Sequence, residues 1–475
     1  MMNEWLLSLP LLLASSAAVV ALVIDALVPQ SERLTFRFSL AVLVLALIAA
    51  AWTVPFSGTA FNSMIRTGGI TAVFDIVFVL GAIMTVIAAR PYIAARNFEH
   101  DEFYTLVLYA TCGMMLIAHA QNLLILFIGI EVMSLSFYVL AGYFRQSLGS
   151  IESALKYFLL GAFATGFLAF GIALIYGASG SLEMSSIGRA IKENTLHFAG
   201  LLPLGVALVV VGLGFKVAVF PFHQWAPDVY DGAPTVVTAF MSTAGKAAAL
   251  SAFLPLVKEV FPATTESVQH VLAISAAATI IVGNIAAVVQ KRVKRMLAYS
   301  SVAHAGYMLI GLVAGNTRGI TAVAFYAAVY LFMQLGAFVI VALLERDSEQ
   351  SITLDDCSGL SARHPVIAAL MALFMFSLAG IPPMAGFFGK YYLFTAAVEA
   401  GYTWLAIVGV IGSMVSVYYY IGVVVFMYFK EAQQPVEVTP VDAATRLPLA
   451  VSATLVIVLG VVPTILESLV QSVWK

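Results

Sequence analysis

Fourteen apolar runs, most of them about as long as a bilayer is thick, occupy the greater part of this 475-residue chain. They fall at 5–28, 36–53, 70–89, 103–119, 121–143, 152–178, 199–222, 233–256, 267–289, 295–314, 318–344, 364–395, 401–429 and 446–468. A helix needs about 20 apolar residues to cross roughly 30 Å of hydrocarbon, where it satisfies every backbone polar group internally. Apolar residues make up 62% of the chain and charged residues 10%, whereas soluble domains carry about 45–50% and 25%. A soluble enzyme, a nucleic-acid-binding protein and a disulfide scaffold are therefore excluded. The expected fold is an all-α polytopic membrane protein of about 14 transmembrane helices.

The longest polar connections are 54–69, 179–198, 345–363 and 430–445. None could hold a soluble domain, which needs about 50 residues, so 1–475 reads as a single membrane domain. The start, Met1-Met2-Asn3-Glu4, places no basic stretch before the first apolar run, which marks that run as a retained span. An even number of spans puts both termini on one side. Thirteen basic residues, among them Arg33, Arg90, Arg145, Lys294, Arg295, Arg346 and Arg446, fall in the loops of the other side. The side of the termini holds six: Arg66, Arg189, Lys192, Lys258, Arg318 and Lys475. Basic excess marks the cytoplasmic face, so both termini are expected on the non-cytoplasmic side. The net charge of −2 provides no surface for nucleic acid. Cys112 and Cys357 stand far apart with no C-x-x-C, so no cysteine-held metal or cluster, and no other cofactor, is expected in this chain.

The informative residues are ionisable ones inside the spans, because a charge at the bilayer centre costs about 2.5–3.5 kcal/mol on insertion scales. They are Glu131, Lys156, Lys216, Lys246, His304 and Lys390. Lys156 lies close enough to its span end to snorkel to the interface, and His304 is also compatible with a structural interhelical hydrogen bond. Asp25 and Asp75 lie near span ends or are placed to cap a neighbour, so a structural role stands beside a functional one for both. Glu131, Lys216, Lys246 and Lys390 sit too deep to snorkel, and the structural alternative for them is an ion pair. Three deep lysines with one deep carboxylate cannot all be paired. Such a set suits proton handling: burial disfavours the charged form of a lysine, and a carboxylate nearby restores it. At about 4 Å and an effective dielectric near 20 that attraction is about 4 kcal/mol.

Two spans look broken. One contains GLGFKVAVFPFHQWAPDVYDGAPT, with Pro221 after Lys216, and the other SLAGIPPMAGFFGKYYLF, with Pro382 and Pro383 before Lys390. Proline removes a backbone donor and kinks a helix. Irregular backbone at membrane depth is tolerated only against protein or water, and paired interrupted helices point to an inverted-repeat transport site. Helices 7 and 12 are the broken ones, and their spacing fits two inverted five-helix repeats, helices 4–8 and 9–13. The chain then divides into residues 1–100 (first three helices), 101–257 (first repeat), 265–430 (second repeat) and 431–475 (last helix).

The first of these motifs, then KRMLAYSSVAHAGYMLIG, then the second, in that order along the chain, resemble the antiporter-like subunits of respiratory complex I, the NADH–quinone oxidoreductase of the bacterial inner membrane. The resemblance covers roughly 100–430 and implies a proton-translocating membrane-arm subunit of this quinone-reducing translocase. It implies that Glu131, Lys216, Lys246 and Lys390 are the family's proton-transfer residues, with His304 linking the two halves. Lys156, and a lysine rather than glutamate at 390, fit the subunit N branch. The resemblance also implies FMN, iron–sulfur clusters and quinone on other subunits. Expected partners are a neighbouring antiporter-like subunit, small membrane subunits and membrane lipid. In the expected mechanism a charge change in the neighbour shifts a Glu131–Lys216 pair, and a proton passes by Lys246 and His304 to Lys390. Rival readings are a subunit of a multisubunit sodium–proton antiporter, a scaffold whose charges serve assembly alone, and a self-contained secondary transporter.

Overall fold

The computed structural model describes residues 4–28, 31–96, 98, 102–261, 266–345, 351–431, 438 and 442–474. Arg346 and Lys475, both used above to judge orientation, lie outside the described residues. The spans are helices α1 (Leu9–Leu27), α2 (Glu32–Thr53), α3 (Ile70–Ala94), α4 (Glu102–His119), α5 (Leu123–Ala141) and α6 (Leu148–Ser179). Helix α7 is broken into α7a (Leu202–Val217) and α7b (Trp225–Gly232). Next come α8 (Thr235–Val260), α9 (Glu266–Val288), α10 (Val293–Ala314) and α11 (Thr317–Leu344). Helix α12 is broken into α12a (Pro365–Ala379) and α12b (Ala385–Glu399), and α13 (Thr403–Phe429) and α14 (Ala443–Val461) complete the set. Thirteen described helices are long and apolar enough to cross a membrane. The remaining crossing is α12. At 1.5 Å per residue each of its 15-residue halves reaches only about 22 Å, short of a 30 Å core.

A helix that is apolar all round belongs in the interior. The most apolar 18-residue stretches of α8 and α11 are wholly buried and that of α10 nearly so, with α3 beside them. Helices α1, α2, α6 and α13 form the rim and turn side chains such as Leu22, Phe163 and Met414 outward. On a soluble protein this would be an aggregating surface; on a membrane-spanning bundle it suits hydrocarbon or neighbouring membrane helices.

Contacts between loops define two ends of the bundle. At the basic end, Lys156 Nζ lies 2.9 Å from Asp228, Arg295 lies 2.9 Å from Asp228, and Lys294 lies 3.6 Å from Glu345. At the opposite end, Ile65 bridges Ala120 and Asn122 bridges Glu183. The termini meet there too: Trp5 packs edge-on against Phe61, and Arg66 and Lys258 lie over the Trp474 ring.

Three expectations are refined. The connection 54–69 is a two-stranded antiparallel hairpin, Ser57–Ala60 with Ile65–Gly68, capping the opposite end. The last run, 446–468, stops as a span at Val461, because Pro463 starts a separate helix, Thr464–Val473. Asp75 does not cap a helix end; it is buried and pairs with His119 at 2.9 Å.

Helix pairs at the start of each five-helix unit approach through glycine. A Cβ on Gly113 of α4 would stand 2.4 Å from Met133 N of α5, and one on Gly283 of α9 would stand 2.6 Å from Ala303 N of α10. Small residues let helix backbones close to this distance where lipid supplies no hydrophobic drive between helices.

Candidate functional site

Four ionisable side chains lie inside the bundle on four different helices. Lys216 on α7a, Lys246 on α8, His304 on α10 and Lys390 on α12b expose 7, 2, 1 and 3% of their surface. A polar group at this depth must find partners or incur a large desolvation penalty, and all four have them.

Lys216 is the penultimate residue of α7a, which ends where Ala218 turns into the left-handed region at φ 64°. Its Nζ donates to Ser134 Oγ at 2.8 Å and to Tyr138 OH at 3.2 Å, both on α5. Between these two, Phe137 packs edge-on against Phe240 of α8 and closes on Gly245, next to Lys246. Thus one turn of α5 touches the surroundings of both lysines.

Helix α8 widens into a π-turn over Met241–Gly245, immediately before Lys246. Such bulges insert a residue into the helix, re-aim the side chains beyond it, and recur at functional sites. Lys246 Nζ donates to the Ser301 carbonyl, and its distance to Ser301 Oγ is 2.5 Å. Ser301, His304 and Tyr307 lie three apart and so share one face of α10. His304 Nδ1 lies 2.7 Å from Tyr326 OH and Nε2 lies 2.9 Å from Tyr420 OH. A tyrosine hydroxyl both donates and accepts, so this cage serves imidazole and imidazolium alike. Tyr307 packs at 5.6 Å from the His304 ring, and Lys390 Nζ lies 5.0 Å from the Tyr307 ring centre.

Lys390 closes the row. Helix α12a ends at Gly380, φ 84°, leaving its last carbonyls without helical partners. From α12b, Lys390 reaches back and donates to Leu378 O and Ala379 O, each at 3.0 Å, and to Ser413 Oγ at 2.9 Å. The negative end of the half-helix dipole adds to the attraction. Gly380 also makes room, since a Cβ there would meet Lys390 Cδ at 3.1 Å. Pro382 and Pro383 lie in the turn between the halves, as Pro221 does in α7.

Two expected site residues stand elsewhere. Glu131 is at mid-helix but on the flank of α5, half-buried, where Thr165 Oγ1 donates to its Oε1 at 2.9 Å. It makes no direct pair with Lys216; Ser134, one turn on, takes that hydrogen bond. Lys156 is not at depth. Its side chain is 41% exposed at the basic end, where it pairs with Glu152 at 2.7 Å and Asp228 at 2.9 Å. It lines a polar cavity of about 430 Å³ with Glu152, Asp228, Asp231, Arg292 and Arg295.

The sequence reading missed the partners. Asp228 and Asp231 stand in the broken-helix motif, but only folding sets them against Arg295 and Arg292, the latter 2.7 Å from Asp231. By sequence Lys294 reads as a loop cation, yet it is buried and donates to Ala233 O at 2.7 Å beside Glu345. Glu345 accepts from Thr235 Oγ1 at 2.7 Å and from Tyr92 OH at 3.1 Å. One signal was available: Glu345 comes directly after an apolar run, a carboxylate at a span end. Among the described residues, no three His, Cys, Asp or Glu side chains converge as metal ligands.

Known proteins match this arrangement. The family described as NADH:quinone oxidoreductase/Mrp antiporter, TM, matches residues 120–416, more than half of the chain. This chain belongs to that family. A relative from Trichlorobacter lovleyi, NADH-quinone oxidoreductase subunit N, is 44% identical over 88% of this chain and 86% of its own. A chain of respiratory complex I from Thermus thermophilus, solved with bound aureothin, superposes with a TM-score of 0.84 at 35% identity, covering 97% of this chain and 98% of that one. A chain of the Mrp complex from Dietzia sp. DQ12-45-1b shares the fold, with a TM-score of 0.88, 23% identity, and coverage of 100% and 97%. The family match spans both helix breaks, and the Thermus thermophilus chain extends the likeness over nearly the whole chain.

Proposed function

We propose that this chain is a proton-translocating subunit of the membrane arm of an NADH:quinone oxidoreductase, holding no redox centre itself. The observation that carries this is the row Lys216, Lys246, His304 and Lys390, each buried on its own helix and each joined to the next by hydroxyl or aromatic side chains. The basic end faces the cytoplasm, where the cavity at Lys156 and Asp228 is the mouth through which protons enter. Both termini then lie on the non-cytoplasmic side. The two five-helix units, α4–α8 and α9–α13, are inverted repeats, a reading supported by the matching glycine approaches in α4/α5 and α9/α10.

Coupling is electrostatic. Glu131 lies partly exposed at mid-span, a position tolerable in hydrocarbon only if a neighbouring subunit covers it. A charge change in that neighbour acts on Glu131 and, through the Ser134 and Tyr138 turn, on Lys216. Lys216 and His304 are held by hydroxyls, which serve either protonation state, and so pass protons on. Moving one charge against 100 mV takes about 2.3 kcal/mol, less than the roughly 4 kcal/mol of one close pairing switch. Partners are a neighbouring antiporter-like subunit, small membrane subunits and lipid; FMN, iron–sulfur clusters and quinone belong to other subunits.

The test is Lys216→Ala in the intact complex, with assembly checked by native gel. Quinone reduction and proton pumping should fall together by tenfold or more while assembly holds. Normal coupled pumping would sink the scheme, and loss of assembly alone would favour a scaffold. The shared fold keeps a sodium–proton antiporter subunit as the second reading. Co-purification with flavin and iron–sulfur proteins would decide against it.

A further inference from the structure

Outside the row lies another buried ionisable pair. Asp75 of α3 and His119, the last residue of α4, are each 1% exposed at the side chain, with His119 Nε2 2.9 Å from Asp75 Oδ2. Their other polar atoms, Asp75 Oδ1 and His119 Nδ1, have no hydrogen-bond partner although both are buried. Native interiors rarely leave such atoms unmatched, and a proton-transfer role is one of the reasons they do.

The pair's position is set by helix register. Helix α3 runs from the opposite end towards the basic end, and α8 runs the other way. Gly81 faces Ala244, since a Cβ on Gly81 would meet that of Ala244 at 3.0 Å. At 1.5 Å per residue, Asp75 lies about 9 Å beyond that level and Lys246 about 3 Å beyond it. The carboxylate is thus about 6 Å nearer the opposite end than Lys246. The α8 segment Lys246–Ser251 packs against both α3 and α4. Beyond His119, the next residue bridges Ile65 of the surface hairpin, and Gln121 N donates to Met64 O. The pair therefore lies between Lys246 and the hairpin-capped face.

We propose that Asp75 and His119 form a proton outlet from Lys246 to the opposite face, a second way out beside the row that ends at Lys390. With Nε2–H donated to Asp75, His119 Nδ1 is a free acceptor. A proton leaving the Lys246 ammonium through hydrogen-bonded water binds Nδ1; lysine becomes neutral amine and His119 imidazolium. Asp75 balances the new charge, so the pair passes from net −1 to neutral without a bare cation. Release of the same proton past the hairpin restores the neutral ring. This rests on the reading that Lys246 carries protons.

The experiment uses the intact complex in proteoliposomes. It measures pumping and NADH-triggered infrared difference spectra for wild type, His119→Gln, Asp75→Asn and the double variant Asp75→Asn/His119→Gln. The double variant keeps one hydrogen bond and leaves no buried charge alone. We expect the variants to assemble, pumping to fall at least threefold, and a wild-type imidazole band sensitive to histidine isotope labelling to vanish in His119→Gln. Wild-type pumping in an assembled variant, or an unchanged band in His119→Gln, would overturn the proposal. Failure of even the double variant to assemble would assign the pair to folding and equally overturn it. Lys216→Ala is measured alongside: if it is impaired while the pair variants pump normally, the outlet alone fails.

Discussion

An ammonium group has three hydrogens to place, and Lys390 places all of them on acceptors, two being carbonyls that cannot donate in return. That cage holds a positive charge, whereas Lys216 is held by two hydroxyls that work in either direction. The two lysines should therefore answer differently to substitution. Lys390→Arg keeps the charge and the donors, and we expect it to retain most quinone reductase activity. Lys390→Ala leaves two buried carbonyls unmatched, a local loss of about 1–3 kcal/mol, and should lower turnover at least tenfold. Equal loss in both variants, read from NADH-driven quinone reduction, would show that titration rather than charge is needed at this position.

The two helix breaks are built from opposite chemistry. The α12 break turns at Gly380, where a left-handed φ of 84° suits glycine and a Cβ would press on Lys390. The α7 break turns at Ala218, which holds a left-handed φ of 64° despite its Cβ. A side chain in that region costs roughly 1–2 kcal/mol. Gly380→Ala is accordingly expected to lower the thermal midpoint of the complex and to impair turnover by displacing Lys390. Ala218→Gly should be near neutral, since relief of that strain offsets the freedom glycine adds to the unfolded chain. At the packing level, Gly113→Val would drive a side chain into the Met133 backbone. Overpacking of this kind costs about 1–3 kcal/mol, and the yield of assembled complex on native gels should drop with it.

For the whole molecule, the question is which way the bundle faces. Both native cysteines, Cys112 and Cys357, are buried, so an introduced thiol stands out against a quiet background. Glu4→Cys lies exposed at the end that gathers the termini, and Arg145→Cys lies exposed at the basic end. A membrane-impermeant maleimide should label Glu4→Cys in right-side-out cells and Arg145→Cys only in inverted vesicles. The reverse pattern would turn the molecule over and, with it, the direction assigned to the mouth at Lys156.

The number of crossings, the two broken helices and the identity of the deep lysines were legible in the sequence, because each expresses a one-dimensional constraint. A bilayer demands about 20 apolar residues per span, proline ends a helix wherever it stands, and a charge in an apolar run is conspicuous. Partners were not legible, because hydrogen bonds and ion pairs form across helices far apart in the chain. Lys156 and Asp228 are 72 residues apart, and Tyr92 and Glu345 are 253 apart. Lys156 reads as a span residue yet sits in an ion-pair cluster at the surface, and Lys294 reads as a loop cation yet is buried. Asp75 reads as a span-end or capping residue and proves to be half of an interior pair. Hydropathy along the chain determined which segments enter the membrane; helix packing alone decided which of their polar groups face one another, since periodicity gives a side chain's direction on its own helix and not what stands opposite.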